Sequence, residues 1–103
     1  MQISFTFRQF EASEDLKDLI RSRLQAKLGK FRNGTDMDVK VTIESEKAWT
    51  YVDMLVNAFG EVFKCRVKTA DEVNPAIEGV IDKLERQLLK KKGLFEGRRR
   101  RAG

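Results

Sequence analysis

Apolar and polar residues alternate at the start of the chain, and the apolar residues then change to a helical spacing. Residues 3–7 alternate with a period of two, which predicts a β-strand with one buried face. After Ser13, a good N-capping residue, apolar residues recur every three or four positions, which predicts an amphipathic helix. This apolar stripe contains Leu16, Leu19, Ile20, Leu24, Leu28 and Phe31. We expect Asn33 and Gly34 to end the helix, because both tolerate the left-handed conformation.

Three further alternating segments follow the first helix. Residues 37–43, 52–58 and 63–67 each place an apolar residue at every second position, which predicts three more strands. The polar residues 44–48 predict a turn between the first two of them. Phe59-Gly60 predicts a tight hairpin before the last, because glycine readily adopts the backbone angles that such a turn requires.

A second amphipathic helix is predicted near the C-terminal end. Pro75 suits a first helical turn, and the apolar stripe contains Ile77, Val80, Ile81, Leu84 and Leu88. The stripe has ended by Gly93. We therefore predict one domain over residues 1–92 and a basic, disordered tail over residues 93–103.

The order of these elements indicates the fold class. A β-α-β-β-β-α chain predicts an α+β two-layer sandwich, in which two helices cover one face of a four-stranded sheet. The first helix is a crossover connection, so the first two strands can pair in parallel. The three later strands are joined by short turns and should form an antiparallel meander.

Composition argues against catalysis and against a membrane protein. The chain of 103 residues has no histidine and one cysteine, so it lacks the commonest general base and metal ligand and cannot form an internal disulfide. No phosphate-cradling glycine motif is present. No apolar run approaches a membrane span, and residues 1–10 have no secretory pattern. We therefore expect a cytoplasmic protein without enzymatic activity, cofactor, metal, small-molecule substrate or membrane partner.

Positive charge is concentrated at the C-terminal end, which points to a polyanionic partner. Residues 83–103 hold nine basic and two acidic side chains, whereas the whole chain has a net charge of +5. Two basic rows have helical spacing, and we predict them to bind RNA phosphates from both sides of one groove. The rows are Arg23, Lys27 and Lys30 on the first helix, and Lys83, Arg86 and Lys90, with Lys91, on the second. Solvated helix faces are the alternative interpretation of either row alone.

The outer face of the predicted sheet gives weaker evidence of a binding site. Lys64, Arg66 and Lys68 fit a cross-strand charge ladder as well as they fit a ligand site. We expect Trp49 and Tyr51 to pack over the neighbouring turn, and base stacking is the alternative.

Several segments resemble the bacterial ribosome hibernation-promoting factor family, which includes the ribosome-associated inhibitor. Three short segments are similar to sequences of that family: the opening residues 1–7, the run Lys27-Leu-Gly-Lys-Phe31 and Glu46-Lys47. The most specific similarity is to the family's signature helix, at Ala76-Ile-Glu-Gly-Val-Ile-Asp-Lys-Leu-Glu-Arg-Gln-Leu88. The resemblance covers about residues 1–92, and the family's β-α-β-β-β-α fold matches the predicted order.

The resemblance implies a ribosome hibernation factor. Such a protein would bind the small ribosomal subunit and its rRNA in the mRNA/tRNA channel, and silence translation under stress or in stationary phase. By position, Lys83, Arg86 and Lys90 would form its basic helix face. Two alternatives stay open: a generic structured-RNA-binding module without ribosome specificity, and an interaction domain whose Arg98–Arg101 tail binds an acidic protein or a membrane. The sequence makes no prediction about dimerisation.

Overall fold

A computed structural model describes the backbone of residues 1–102 and the side chains of residues 1–93. The elements are β1 (Gln2–Arg8), α1 (Glu14–Leu28), a short 3₁₀ helix (Gly29–Phe31), β2 (Asp38–Glu46), β3 (Trp49–Ala58), β4 (Glu61–Thr69) and α2 (Val73–Ala102). This order confirms the predicted β-α-β-β-β-α fold. α2 extends past Gly93, where the apolar stripe ends. The expected disorder of residues 93–103 falls on a segment whose side chains, after Gly93, lie outside the described residues, and it stays a prediction.

The four strands form one mixed sheet in the order β1-β2-β3-β4. β1 pairs with β2 in parallel, whereas β3 is antiparallel to both β2 and β4. β4 therefore runs in the same direction as β1. Because α1 follows β1 and α2 follows β4, the two helices return across the sheet in the same direction and lie parallel to each other.

The core lies between the helices and one face of the sheet. The apolar stripes of α1 and α2 contribute Ile20, Leu24, Leu28, Ile77, Val80, Ile81, Leu84 and Leu88, all buried. They pack on inward side chains of β2 and β3, namely Val39, Val41, Ile43, Val52, Met54 and Val56. No polar side chain is buried among the described residues. The polar groups are therefore left to the surfaces.

The observed ends of the two helices agree only partly with those predicted from the sequence. The Leu16 amide donates to the Ser13 hydroxyl at 3.1 Å, so Ser13 caps α1 as predicted, and Pro75 lies in the first turn of α2. The helical segment ends at Phe31, just before Asn33 and Gly34 as predicted, but neither residue has the positive φ on which the prediction relied. α1 instead tightens into the 3₁₀ helix, whose end is marked by a hydrogen bond from the Arg32 amide to the Gly29 carbonyl at 3.2 Å, without a left-handed residue.

Two-residue turns join β2 to β3 and β3 to β4. Phe59 (φ 53°) and Gly60 (φ 72°) both have positive φ, as a type I′ turn requires, which confirms the predicted tight hairpin. The other turn is shorter than predicted, because β2 extends to Glu46 and β3 begins at Trp49. Only Lys47 and Ala48 connect them. Trp49 is therefore the first residue of a strand.

Candidate nucleic-acid interface

The basic row of α1 lies against an acidic row of α2. Each of its three cations forms an ion pair across the interhelical seam, and we call these pairs the interhelical ladder. The pairs are Arg23 Nε–Glu78 Oε1 at 2.7 Å, Lys27 Nζ–Asp82 Oδ1 at 3.6 Å and Lys30 Nζ–Glu85 Oε2 at 2.7 Å. The two rows have the same four-and-three spacing, and the helices are parallel. The residues therefore pair in sequence order along the seam.

Glu85 is the most enclosed acid of the interhelical ladder, since its side chain is 18% exposed. The hydrogen bond from Lys30 lowers the pKa of the Glu85 carboxyl below its usual value of 4.5, and Lys27 adds a smaller effect in the same direction. Partial burial opposes this shift. The charged form of Glu85 is therefore stabilised chiefly by the hydrogen bond from Lys30.

A second basic row faces away from the sheet on α2. Lys83, Arg86 and Lys90 are exposed, and we call them the α2 basic row. With about 100° per residue, they lie roughly opposite the apolar stripe and beyond the acidic row. None of the three forms an ion pair with any described side chain. The Nε of Arg86 reaches only the carbonyl of Asp82, at 3.5 Å. These cations are therefore available to an external anion.

Gly79 leaves the α2 basic row open at its N-terminal end. A Cβ atom placed on Gly79 would meet nothing within 4 Å. No neighbouring element therefore covers this part of the helix, and a ligand backbone could approach it closely.

Lys91 and Lys92 turn away from the α2 basic row. Lys91 Nζ lies 2.5 Å from a carboxylate oxygen of Glu61 at the start of β4, and its side chain is 21% exposed. Lys92 Nζ lies 6.0 Å from the centroid of the Phe31 ring. The predicted site residue Lys91 therefore ties α2 to the sheet. The structure groups Lys83, Arg86 and Lys90 without it.

The two predicted basic rows do not border one open groove. The acidic residues of the interhelical ladder stand between Arg23, Lys27 and Lys30 on one side and the α2 basic row on the other. The predicted groove lined by cations on both sides is therefore replaced by a charge-paired seam with one unpaired basic row beside it. The acidic row was missed in the sequence, although its spacing mirrors that of the α1 row.

No group of side chains suited to holding a metal ion occurs in the described residues. Nor does any helix there combine the length and apolar character needed to span a bilayer.

Comparison with known proteins identifies the family. The model of the family described as sigma 54 modulation protein / S30EA ribosomal protein matches residues 3–94. The chain belongs to this family. Membership of the S30EA family confirms the resemblance seen in the sequence, and the matched segment contains the whole interhelical ladder and the α2 basic row. No curated protein matches the chain in sequence.

Solved structures share the S30EA chain's fold. The N-terminal domain of Thermus thermophilus protein Y is 23% identical, with a TM-score of 0.74 over 84% of this chain and 94% of that one. A ribosomal subunit interface protein from Coxiella burnetii is 22% identical, with a TM-score of 0.78 over 90% and 99% of the two chains. At these identities the likeness establishes the architecture and leaves the charged surfaces to be interpreted from this chain's own residues.

Proposed function

We propose that this protein is a cytoplasmic ribosome hibernation factor. It binds rRNA of the small ribosomal subunit in the mRNA/tRNA channel and silences translation under stress or in stationary phase. Membership of the S30EA family supports a ribosomal partner. The observation that carries the proposal is the α2 basic row, in which three exposed cations without ion-pair partners among the described residues share one helix face.

The α2 basic row has the dimensions of a phosphate-binding edge. Lys83 and Lys90 are seven residues apart, or about 10 Å along the helix axis. Such a row can therefore contact successive phosphates of one RNA strand. Lys and Arg at phosphates neutralise charge and release counterions, which gives affinity without sequence specificity. Position on the ribosome must then come from the shape of the folded rRNA.

The proposed mechanism is occlusion, with no catalysed step and no cofactor or small-molecule substrate. A rigid domain docked by its helix face would occupy space that mRNA and tRNA need. Rigidity comes from the buried core, in which the apolar stripes of α1 and α2 pack on the sheet. Silencing would then follow from competition for the channel.

Sedimentation and cell-free translation test this proposal together. Purified protein should co-sediment with small subunits at low salt and should slow translation of a reporter mRNA. Excess tRNA and mRNA should displace it from the ribosome. Protein that neither sediments with the subunit nor slows translation would contradict the proposal.

A generic structured-RNA binder is the second candidate, because phosphate contacts alone do not discriminate among RNAs. Competition separates the two candidates. A generic binder should be removed from ribosomes equally by any structured RNA of similar length. A channel binder should be removed far better by tRNA and mRNA that occupy the same channel.

A further inference from the structure

The sheet face opposite the helices presents aromatic rings to solvent. The chain's single tryptophan and single tyrosine, Trp49 and Tyr51, both lie on the outward side of β3. Trp49 is 41% exposed. The two residues are separated by one position, so their Cα atoms lie about 7 Å apart on the same face. This spacing places two rings side by side at one end of the sheet.

These rings contact cations of the neighbouring strand. The Nζ of Lys68 lies 4.6 Å from the Trp49 ring centroid, and the Cζ of Arg66 lies 4.4 Å from the Tyr51 ring centroid. The expectation that the aromatics pack over the turn is therefore not met, because both belong to β3 and stand over the sheet. We call Trp49, Tyr51, Arg66 and Lys68 the aromatic platform.

The surroundings of the aromatic platform are basic along β4. Lys40 and Lys64 lie on either side of Leu55 in the sheet register, and neither has an ion pair with a described residue. Arg66 also approaches Asp53, at 3.7 Å. Glu44, on the β2 side, lies 3.7 Å from Arg8. Asp53 and Glu44 are thus each shared with an arginine, whereas Glu46, the cross-strand partner of Trp49, has no ion pair with a described residue. Lys40 and Lys64 are likewise left unpaired.

We propose that the aromatic platform binds unpaired RNA, with bases stacked on Trp49 and Tyr51 and phosphates held by the lysines along β4. A base has a π-face that stacks on an aromatic ring or on an arginine guanidinium. At an exposed site, a ring–cation contact is weaker than base stacking on the same ring. A base can therefore displace Lys68 from Trp49 or extend the stack of Arg66 on Tyr51.

The chemistry favours RNA over a second copy of this chain. An antiparallel pair of β4 edges would bring Lys64, Arg66 and Lys68 of one copy close to the same cations of the other, and like charges across strands destabilise such a pair. A single-stranded polyanion has the opposite charge. The inference depends on the proposed function only in taking RNA as the polyanion, and it concerns the face turned away from the α2 basic row.

Fluorescence of the single tryptophan reports on this surface directly. The probe is a short single-stranded oligoadenylate, compared with inorganic polyphosphate and with an RNA duplex. Stacking on Trp49 should quench its emission with oligoadenylate, and the two controls should leave it nearly unchanged, since neither offers an unstacked base. Equal quenching by polyphosphate would overturn the proposal, because charge alone would then account for it. Absence of quenching by oligoadenylate would overturn it as well.

Variants of Tyr51 separate stacking from folding. Tyr51→Leu keeps apolar bulk in the strand but removes the ring, and should weaken oligoadenylate binding about tenfold, as measured by anisotropy of a labelled strand. Tyr51→Phe keeps the ring and should bind like the parent protein. Equal binding by Tyr51→Leu and Tyr51→Phe would contradict a stacking platform. So would a concentration-dependent dimer whose formation alone changes Trp49 emission.

A triple variant on the other face keeps this inference distinct from the hibernation proposal. Lys83→Ala, Arg86→Ala and Lys90→Ala together should leave oligoadenylate quenching intact while ribosome binding falls. Quenching lost in this variant would contradict a separate platform. Ribosome binding that fails in the parent protein, with quenching retained, would contradict the hibernation proposal alone.

Discussion

The two basic rows have similar spacing in the sequence but different surroundings in the fold. Arg23, Lys27 and Lys30 are paired with acids of α2 in the interhelical ladder. The α2 basic row has no such partner among the described residues. A cation already paired must give up that pairing to bind a phosphate, whereas an unpaired one gives up only water. Under the proposed function, accessible charge, and not the number of basic residues, determines where RNA docks.

Neutralising the acidic side of the interhelical ladder should erase this difference. In the variant Glu78→Gln, Asp82→Asn, Glu85→Gln, three α1 cations become available. Each added phosphate contact steepens the salt dependence by about 0.7 to 0.9. RNA affinity at low salt should therefore rise, with the slope of log affinity against log salt steeper by about two units. An unchanged slope would mean that α1 cannot reach RNA even when unpaired.

Adding a side chain at Gly79, the open end of the α2 basic row, should affect stability and RNA binding differently. Gly79→Ala adds a methyl group where nothing lies within 4 Å, and alanine favours a helix over glycine by about 0.8 to 1 kcal/mol. The free energy of unfolding, measured with urea, should rise by up to this amount. Gly79→Glu serves as the contrasting variant, since it places a negative charge beside Lys83 and should weaken RNA binding. Equal binding by both variants would argue against docking at this end.

Within the interhelical ladder, the pairs should differ in strength. A double-mutant cycle on Lys30 and Glu85 should give a coupling of about 0.5 to 1 kcal/mol, near the upper end for pairs with an exposed partner. The cycle on Arg23 and Glu78 should give a few tenths of a kcal/mol, because 52% and 39% of those side chains are exposed. Equal couplings would show that the lower exposure of Glu85 has no energetic consequence.

The smallest expected effect is a pH dependence of stability that belongs to Glu85. Its pKa is lowered in the folded protein, chiefly by Lys30. The stabilisation is therefore complete above the ordinary carboxyl pKa of 4.5 and is lost as pH falls through the lower folded value. Glu85→Gln should reduce the loss of unfolding free energy between neutral pH and acid. Glu14→Gln is a matched control, because that carboxylate is 78% exposed. Identical acid profiles for the two variants would contradict this assignment.

Local patterns in the sequence were enough to predict the fold. Period-two and helical spacings identified every strand and both long helices, and Phe59-Gly60 identified the β3–β4 hairpin. The left-handed conformation expected of Asn33 and Gly34 was wrong because a 3₁₀ helix can end the helical segment without one. Trp49 was placed beside a turn because polar residues at 44–46 concealed the end of β2. These errors concern the ends of helices and strands, where hydrogen bonding rather than apolar spacing determines which residue is the last.

The candidate site was harder to predict, because it depends on how the two helices are docked. Lys83, Arg86 and Lys90 could be grouped from helical spacing alone. Whether Arg23, Lys27 and Lys30 were paired required knowing that α2 runs parallel to α1 with Glu78, Asp82 and Glu85 on the facing side. Lys91 follows Lys90 directly, yet one step along the helix turns it toward Glu61.

The most direct test measures ribosome affinity against salt for two triple variants. One changes Lys83, Arg86 and Lys90 to alanine, and the other changes Arg23, Lys27 and Lys30 to alanine, with circular dichroism to confirm folding. Both remove the same charge. Removing the α2 basic row should flatten the slope of log affinity against log salt by about two to three units. Removing the α1 row should flatten it by less than about one. Equal flattening in the two variants would contradict docking through the α2 basic row.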